Sequence, residues 1–481
     1  MARTDASELC TAHWEPRAGQ SELRAEPPAL WHDGGPGAGG PAKDPLGLAD
    51  SAGTWVEIAG REALQAQVPE CARWFPIAVK ANVAARGMDF SASSPALQGN
   101  RAGADSGIVA ALRGHGAVVA GISNMHELAF GITSDNPHTG PVRNPAEATH
   151  SAGGSSGGCA AAVARGQVPA AIGTDTGGSV AIPAALCGVV GWRPTTGRWP
   201  TDGLIGLSWT RDTPGAFTTS VATAAQFDHW VTGAPVTSTG PDRPFQLGIP
   251  AEFHEDLGRA TARATRWALK KIGATASLRE LELGPVLKDL AECEWLTVAY
   301  EAPRLLSPAV ATRHHVDHAR AWELLTKAVA SPDVRQVLQA INADPVTDAQ
   351  YAWAQQRILH ARQQYRRLLQ RTGVEALLFP TTPLPAPPIG CDAVVTHNHT
   401  PQPIFPLMTR HTVPGTLLRA PMLTLPVPVG SPRAGQGKEL PVGLTVQGLP
   451  FQDERVLATG RKLEAMLQAA AATGSTPDVA E

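Results

Sequence analysis

A glycine- and serine-rich stretch over residues 151–183 constrains this chain more than any other segment. It places two glycine-flanked serines, Ser155 and Ser179, on either side of a small-residue segment, 160–168, and an apolar run, 169–172. Backbone with so little Cβ bulk can turn sharply and approach a ligand closely. Glycine and serine runs are ordinarily flexible linkers, but ordered apolar segments alternate with the glycine turns here. We therefore expect a folded site around the two serines.

Length and composition indicate a large globular protein. The chain has 481 residues, is 43% hydrophobic and 17% charged, and carries a net charge of −3, so neither nucleic acid nor anionic lipid is an expected partner. The N-terminus lacks the apolar core of a signal peptide, and no apolar run reaches the ~20 residues of a membrane span. The six cysteines show no CxxC spacing. We expect a cytoplasmic protein with reduced cysteines.

Alternating helical and strand patterns predict an α/β protein. Residues 75–80 form a short apolar strand candidate, 105–113 an amphipathic helix and 117–121 a buried strand. Further strands are predicted over 168–173, 245–249, 376–380, 423–429 and 441–447, and further helices over 159–166, 219–232 and 451–467. We expect one α/β/α sandwich around a large mixed β-sheet.

Changes of composition divide the chain into four regions. Residues 1–60 lack apolar periodicity and include a glycine- and proline-rich loop over 31–41, so we expect a loop-rich surface segment. Residues 61–249 hold the first part of the core and the glycine-rich motifs. Charge and helical spacing rise over 250–371, which predicts a mostly helical cap. Residues 372–481 return to strand patterns and close the core with a helix and a tail.

The segment around Ser155 matches three well-known motifs only in part. Residues 153–157 satisfy the G-x-S-x-G elbow of α/β-hydrolases, but the elbow needs an apolar strand before it, and residues 143–150 are mostly polar. A phosphate-binding loop needs a lysine after its glycines, and none follows here. No serine in the sequence has a lysine three residues later, as a penicillin-type nucleophile requires. These three interpretations are weak.

Several histidines could be metal ligands or ordinary structural residues. His126 begins an H-E-x-x-H pattern, but Phe130 stands where the second histidine is needed. His314, His315 and His318 lie in a helical context, in which His314 and His318 would share one face. Helical histidines are usually surface or core residues, so we expect no metal site.

Three motifs at fixed separations give the most specific signal. A predicted strand ends on Lys80, Ser155 lies in a GGSSGG run 75 residues later, and Ser179 ends a GTDTGGS run after a further 24 residues. A lysine at a strand end is by itself usually a solvated charge. The linked motifs, however, resemble the amidase signature family of amidohydrolases, closely over about residues 70–230 and weakly near the C-terminus.

The resemblance implies a hydrolase that works through an acyl-enzyme. Ser179 would be the nucleophile, Ser155 a bridge held by a cis peptide after Gly154, and Lys80 the base. A lysine accepts a proton only when neutral, so its pKa must fall well below ~10.4. Burial in a desolvated site produces such a shift, and the apolar strand before Lys80 is compatible with burial.

The resemblance also implies an oxyanion hole and an acyl pocket. Four consecutive backbone N–H groups would converge on the developing oxyanion: those of Thr176, Gly177, Gly178 and Ser179. Four loop residues would line the acyl pocket, although ordinary loop packing explains them equally well: Ala129, Phe130, Gly131 and Ile132. Two positions depart from the family pattern, since Ala81 replaces a usual Asp and Ala181 a frequent Arg. Both changes leave Lys80, Ser155 and Ser179 in place.

The segment 210–215, TRDTPG, most resembles the aryl-acetamide hydrolases of the family, and the carbamate-cleaving urethanases are similar. The resemblance implies hydrolysis of a small aryl or hydrophobic amide or carbamate, without a cofactor, by a monomer or homodimer. Esterase or urethanase activity as the main function, and a non-catalytic amidotransferase-like subunit, stay open. A serine hydrolase with a His–Asp pair is a further alternative, which would need an essential histidine.

Overall fold

The computed structural model describes residues 46–48, 52–68, 73–236, 245–391, 393–428, 439–473 and 477. The strands of this part of the chain are numbered β1 to β13: Trp55–Ile58, Phe75–Lys80, Ala117–Ser123, Ala170–Asp175, Val190–Arg193, Thr213–Thr218, Gln246–Pro250, Ser277–Leu281, Ala376–Pro380, Val394–His397, Thr400–Pro403, Met422–Val427 and Val442–Gln447. The described strands form an 11-stranded sheet in the order β1-β3-β2-β4-β6-β5-β12-β13-β9-β7-β8, and β10 pairs with β11 separately.

Helices flank both faces of the large sheet. The α-helices of the described residues are numbered α1 to α14: Arg61–Gln65, Gly107–Arg113, Gly157–Ala164, Ala181–Cys187, Val221–Thr232, Arg259–Ile272, Gly284–Leu290, Cys293–His314, His318–Ala328, Pro332–Ala343, Asp348–Thr372, Ile404–Thr409, Val413–Leu417 and Asp453–Ala472. Successive side chains of a strand point to opposite faces. Ile77 and Val79 of β2 accordingly pack with α2 and α5, whereas Ala78 packs with α3. The predicted α/β sandwich around a mixed sheet is confirmed.

The centre of the sheet brings two chain segments to the same edge. Strand β2 lies between β3 and β4 and runs parallel to both, with Val79 opposite Ile172 of β4. Parallel strands end at the same edge, so Lys80, the last residue of β2, lies beside the end of β4 at Asp175. The strand that ends on Lys80 and the GTDTGGS run that leads to Ser179 therefore meet at this edge.

Most predicted strands and helices are present, with ends shifted by a few residues. Strand β2 has the predicted bounds, and β12 and β13 pair antiparallel as the sequence suggests. Strand β6 was not predicted, because Pro214 and Gly215 argue against a central strand. A Cβ on Gly215 would lie 2.6 Å from the carbonyl oxygen of Trp192, so β5 needs a glycine there to approach closely.

Two elements at the start of the predicted helical cap, residues 250–371, pack on the sheet or form part of it. Helix α6 packs against β9, β12 and β13, and β8 forms the edge of the main sheet beside β7, so both belong to the core. The periodicity of α6 resembles that of a cap helix because a helix packed on a sheet also has one apolar face. The cap, as we use the term below, consists of α7 to α11, residues 284–372.

The N-terminal region is described only in part. The predicted loop over 31–41 lies outside the described residues, as does most of the predicted surface segment 1–60. Strand β1 of this segment pairs antiparallel with β3 at the edge of the sheet, a strand that the sequence analysis missed. No helix in the described ranges is long and apolar enough to cross a membrane.

Candidate active site

Lys80 is buried in a hydrogen-bonded cluster at the end of β2. Its Nζ lies 2.8 Å from Oγ of Ser155 and 2.9 Å from Oγ1 of Thr174. All three residues are at most 4% exposed. The amide of Asn82 donates to the same Thr174 hydroxyl at 3.1 Å. The cluster holds the amine against the Ser155 hydroxyl, at a distance suited to proton transfer.

Burial changes the proton affinity of this lysine. Removal of the Nζ group from water lowers the pKa of Lys80 from 10.5 to about 7, while the negative charges of Asp175 and Asp212 and the Cys159 thiol favour the charged form and limit the change. Desolvation disfavours a buried ammonium, so the free amine becomes available near neutral pH. A lysine must be neutral to accept a proton, and the lowered pKa meets this requirement for Lys80 as a base.

Ser155 is positioned by the start of helix α3. The Gly154–Ser155 peptide bond is cis. The carbonyl oxygen of Ser155 accepts a hydrogen bond from the backbone N–H of His126 at 3.0 Å. A Cβ on Gly158, in the first turn of α3, would lie 2.4 Å from the carbonyl oxygen of Asn124. Only glycine lets the helix begin so close to the end of β3, which brings Ser155 over Lys80.

Ser179 lies in the loop between β4 and α4. One Asp175 carboxylate oxygen accepts the N–H of Gly178 at 3.0 Å and the other accepts the N–H of Val180 at 2.7 Å. The buried guanidinium of Arg193 donates to this carboxylate at 3.1 Å. The carboxylate thus fixes the backbone on both sides of the nucleophile candidate. Among the described residues, no hydrogen bond joins the hydroxyls of Ser155 and Ser179.

One of the four expected oxyanion donors already has a partner in the structure. The N–H of Gly178 donates to the Asp175 carboxylate at 3.0 Å. The N–H groups of Thr176, Gly177 and Ser179 remain as candidate donors. The hydroxyl of Thr176 donates to Asp212 at 2.6 Å, and burial raises the pKa of this carboxyl group.

A cavity of about 540 Å³ opens beside Ser179. The four residues expected in the acyl pocket all line it: Ala129, Phe130, Gly131 and Ile132. Its other walls come from the cap and from the segment around α12, including Trp295, Val337 and Phe405. These side chains are largely apolar, so the cavity suits an aromatic or aliphatic group.

The cavity wall also carries opposite charges. Nη2 of the buried Arg211 lies 3.9 Å from Oε1 of Glu294 and donates to the Thr416 hydroxyl at 3.1 Å. Desolvation raises the pKa of Glu294 despite the attraction of Arg211. Arg211 belongs to the TRDTPG segment that suggested the aryl-acetamide hydrolases, whereas Glu294 comes from α8 of the cap.

The histidines considered as metal ligands do not assemble. Helix α8 ends at His314, His315 has a left-handed φ of 56°, and α9 begins at His318. His314 and His318 therefore lie on two helices, so the expected shared face is wrong, since Asp317 caps a new helix between them. In the described ranges, no group of three or more His, Cys, Asp or Glu side chains could hold a metal ion.

The sequence profile of the Amidase family matches residues 75–457. The chain belongs to the amidase family. It is similar to an indoleacetamide hydrolase of Rhizobium radiobacter, with 37% identity over 398 residues that cover 81% of this chain and 82% of the relative. An indoleacetamide hydrolase of Agrobacterium vitis is 38% identical over 404 residues, covering 82% and 83%. A crystal structure described as an amidase superposes with a TM-score of 0.71 at 36% identity, covering 82% and 84%.

Sequence reasoning about this amidase missed several residues of the site. Thr174 lies inside the GTDTGGS run, but the motif did not reveal that its hydroxyl contacts Lys80. Trp295 and Val337 of the cap line the cavity more than 100 residues after Ser179. In a single sequence, the pattern of an amphipathic helix does not distinguish a cavity wall from an ordinary packed face.

Proposed function

We propose that this amidase hydrolyses a small aryl amide through an acyl-enzyme on Ser179. The observation that carries the proposal is the buried Lys80 amine, 2.8 Å from the Ser155 hydroxyl, at the sheet edge that also bears the Ser179 loop. A serine hydroxyl needs a nearby base to become a nucleophile. With its pKa lowered to about 7 by burial, Lys80 supplies that base near neutral pH.

Acylation begins with attack of Ser179 Oγ on the substrate carbonyl carbon. The Ser179 hydroxyl, which has no hydrogen bond to Ser155 without substrate, closes on it in the substrate complex and gives it a proton, while the Ser155 proton passes to the free amine of Lys80. The tetrahedral intermediate then collapses, the C–N bond breaks, and the leaving amine takes a proton back through Ser155. The products of this half-reaction are the free amine and an ester of Ser179.

Deacylation uses the same residues in the same order. Water attacks the ester carbon and gives one proton to Ser155, whose own proton passes to Lys80. The second intermediate collapses, the acid leaves, and Ser179 recovers a proton. In both steps the negative oxygen would be bound by backbone N–H groups of Thr176, Gly177 and Ser179, and removal of one such donor in comparable sites costs about 3–4 kcal/mol.

The cavity and the relatives support the proposed substrate class. The apolar walls formed by Phe130, Trp295 and Phe405 suit an aromatic acyl group, and 540 Å³ is an adequate volume for one. The similar proteins from Rhizobium and Agrobacterium are named indoleacetamide hydrolases. An aryl acetamide is therefore the substrate that we propose first. Carbamates and esters pass through the same tetrahedral oxyanion and are the alternatives to compare.

A substrate comparison combined with acyl-enzyme trapping tests this proposal. Purified protein is assayed with matched arylacetic amide, anilide, carbamate and ester substrates, and quenched reactions are analysed by mass spectrometry. We expect the amide to have the highest kcat/KM and the acyl adduct to map to Ser179. An adduct on another residue would refute the assignment of the nucleophile. Absence of turnover by the isolated chain would favour a non-catalytic subunit instead.

We further propose that the amidase acts in the cytoplasm, without nucleic acid, as a monomer or homodimer. The net charge of −3 supports the absence of a nucleic-acid partner. Cys159, Cys187, Cys293 and Cys391 are free thiols, which fits a reducing compartment. Cell fractionation and light scattering of the purified protein measure location and mass directly.

A further inference from the structure

We propose that His126 and Glu127 form a clamp that positions helix α10 of the cap as one wall of the substrate cavity. The clamp comprises these two side chains and the groups that they contact at the start of α10: the N–H groups of Ala330 and Ser331 and the carboxylate of Asp333. The inference rests on the amidase activity and the cavity, but not on the identity of the base or nucleophile. It makes His126 a positioning residue that sets selectivity for the acyl group.

Glu127 supplies the first half of the clamp. Its buried carboxylate accepts hydrogen bonds from the N–H of Ala330 at 3.1 Å and of Ser331 at 2.7 Å, and from the hydroxyl of Ser94 at 2.8 Å. Ser331 is the N-cap residue of α10. A carboxylate at this end of a helix satisfies N–H groups that have no partner within the helix and compensates the positive end of the dipole.

His126 supplies the second half. Its buried imidazole places Nε2 at 2.9 Å from Oδ2 of Asp333, in the first turn of α10, and Nδ1 at 3.3 Å from Oγ1 of Thr133. Partial burial would raise the pKa of Asp333, but the hydrogen bond and electrostatic attraction of His126, together with the backbone N–H groups of Asp333 and Val334, lower this pKa. The imidazole thus connects the cap to the loop that carries the acyl-pocket residues.

That loop folds tightly over the imidazole. Leu128 and Ala129 have φ values of 54° and 65°, which turn the chain back over the ring. A Cβ on Gly131 would lie 2.1 Å from Cε1 of His126, so no other residue fits there without moving the ring. The imidazole is therefore enclosed between the loop at 129–133 and the first turn of α10.

Both elements that meet at the imidazole line the cavity. The loop contributes the acyl-pocket residues, and α10 contributes Asp333, Gln336, Val337 and Ala340. Helix α10 packs against α9, another cap helix, and its buried Val334, Leu338 and Ile341 join the main apolar core. The clamp ties α10 directly to the core next to Ser155, whose carbonyl accepts the His126 N–H. Release of the clamp should widen the cavity without removing the relay.

Enzyme kinetics with two substrates of different size test the clamp. His126→Ala and Glu127→Gln are assayed with a primary arylacetamide and with acetamide. We expect KM for the arylacetamide to rise about tenfold, equivalent to about 1.4 kcal/mol of binding. We expect kcat/KM for acetamide to change less than about twofold, because a small acyl group does not use the α10 wall. His126→Gln should restore most of the selectivity, since an amide can bridge Asp333 and Thr133.

His314→Ala is the matched control. His314 also joins the cap to the core, with Nε2 at 2.8 Å from the carbonyl oxygen of Ala96, but does not line the cavity. Removal of the His314 side chain should leave the ratio of kcat/KM for the arylacetamide to kcat/KM for acetamide unchanged. Hydrogen exchange adds a readout that does not depend on activity. Amide exchange over 330–343 should accelerate in His126→Ala and Glu127→Gln and stay unchanged in His314→Ala.

Three outcomes would overturn the proposal. Equal loss of kcat with both substrates in His126→Ala would make His126 a catalytic residue, as in a His–Asp pair. Unchanged selectivity and unchanged exchange over 330–343 would mean that the clamp does not position α10. A similar change in His314→Ala would indicate a general loosening of the cap. None of these results bears on Ser179, whose assignment fails separately if Ser179→Ala retains turnover.

Discussion

Lys80→Met should make the amidase inactive and change how its stability depends on pH. The pKa of Lys80 is lowered from 10.5 to about 7 by burial, a difference of about 3.5, and each pKa unit is worth about 1.36 kcal/mol. A protonated Lys80 therefore costs the folded state about 5 kcal/mol at pH values below 7. Methionine has a similar length and carries no charge, so the variant escapes this cost.

The direction in which stability changes with pH follows from the pKa of Lys80 in the folded state, about 7, and in the unfolded state, 10.5. Below pH 7 the lysine is protonated in both states, and the cost is complete. Between pH 7 and 10.5 the unfolded chain binds more protons, so the wild-type protein gains stability as pH rises, by at most about 1.36 kcal/mol per pH unit. Above pH 10.5 both states are neutral and the cost is absent. The advantage of Lys80→Met should thus be largest below pH 7 and should fall as pH increases.

The substitution also has a cost that does not depend on pH. Ser155 and Thr174 lose the Nζ partner, at 2.8 Å and 2.9 Å respectively, and a buried polar group left unsatisfied costs about 1–3 kcal/mol. The absolute stability difference therefore mixes two effects, whereas its slope with pH reports Lys80 alone. Other titrating groups are common to both proteins and cancel in the difference.

Denaturant unfolding of both proteins from pH 6 to pH 10 measures this slope. The free-energy difference should be constant up to about pH 7 and then decrease by about 4 kcal/mol up to pH 10. In parallel, kcat/KM of the wild type should rise with an apparent pKa near 7 as the free amine forms. A stability difference that stays constant from pH 7 to pH 10 would show that Lys80 titrates as in the unfolded chain, and the general-base assignment would be withdrawn.

Three further substitutions test the serines and the loop. Ser179→Ala should abolish turnover without a change in Tm, and detectable acyl adduct in this variant would contradict its role. Ser155→Ala should lower kcat by about 10³-fold, because the relay is broken; near-normal kcat would disprove the relay. Gly178→Ala should reduce both Tm and kcat, because its φ is 123° and the new Cβ would lie 2.3 Å from Oγ1 of Thr412. The control is Gly166→Ala, at φ 69° with nothing within 4 Å of the new Cβ, where only a strain of about 1 kcal/mol in unfolding free energy is expected.

The fold class could be predicted from local signals, whereas the residues of the candidate site were predicted from the resemblance to the amidase signature family. Strand β2 is a continuous apolar run ending at Lys80, and the glycines around Ser155 and Ser179 mark sharp backbone turns. Local pattern therefore suggested a mixed α/β sheet, and the resemblance added one lysine and two serines as its site.

Tight packing hid other parts of the fold from local reasoning. No strand was predicted over 213–218, where Pro214 and Gly215 are unfavourable for a central strand, yet the close approach of β5 makes a glycine necessary there. Helix α6 has the charged and apolar periodicity expected of the cap, but its apolar face packs on the sheet. Periodicity reports that one helix face is buried and does not report what covers it.

The sequence by itself determined the chemistry that is available: a lysine after an apolar strand, two serines in glycine turns, and no cluster of metal ligands by spacing. Tertiary structure alone decided how these groups behave. It lowered the pKa of Lys80 through burial, directed the Gly178 N–H to Asp175, and brought His126 against Asp333, 207 residues later. Desolvation and contacts between distant segments depend on the complete packing around a residue, so they exist only once the chain is folded.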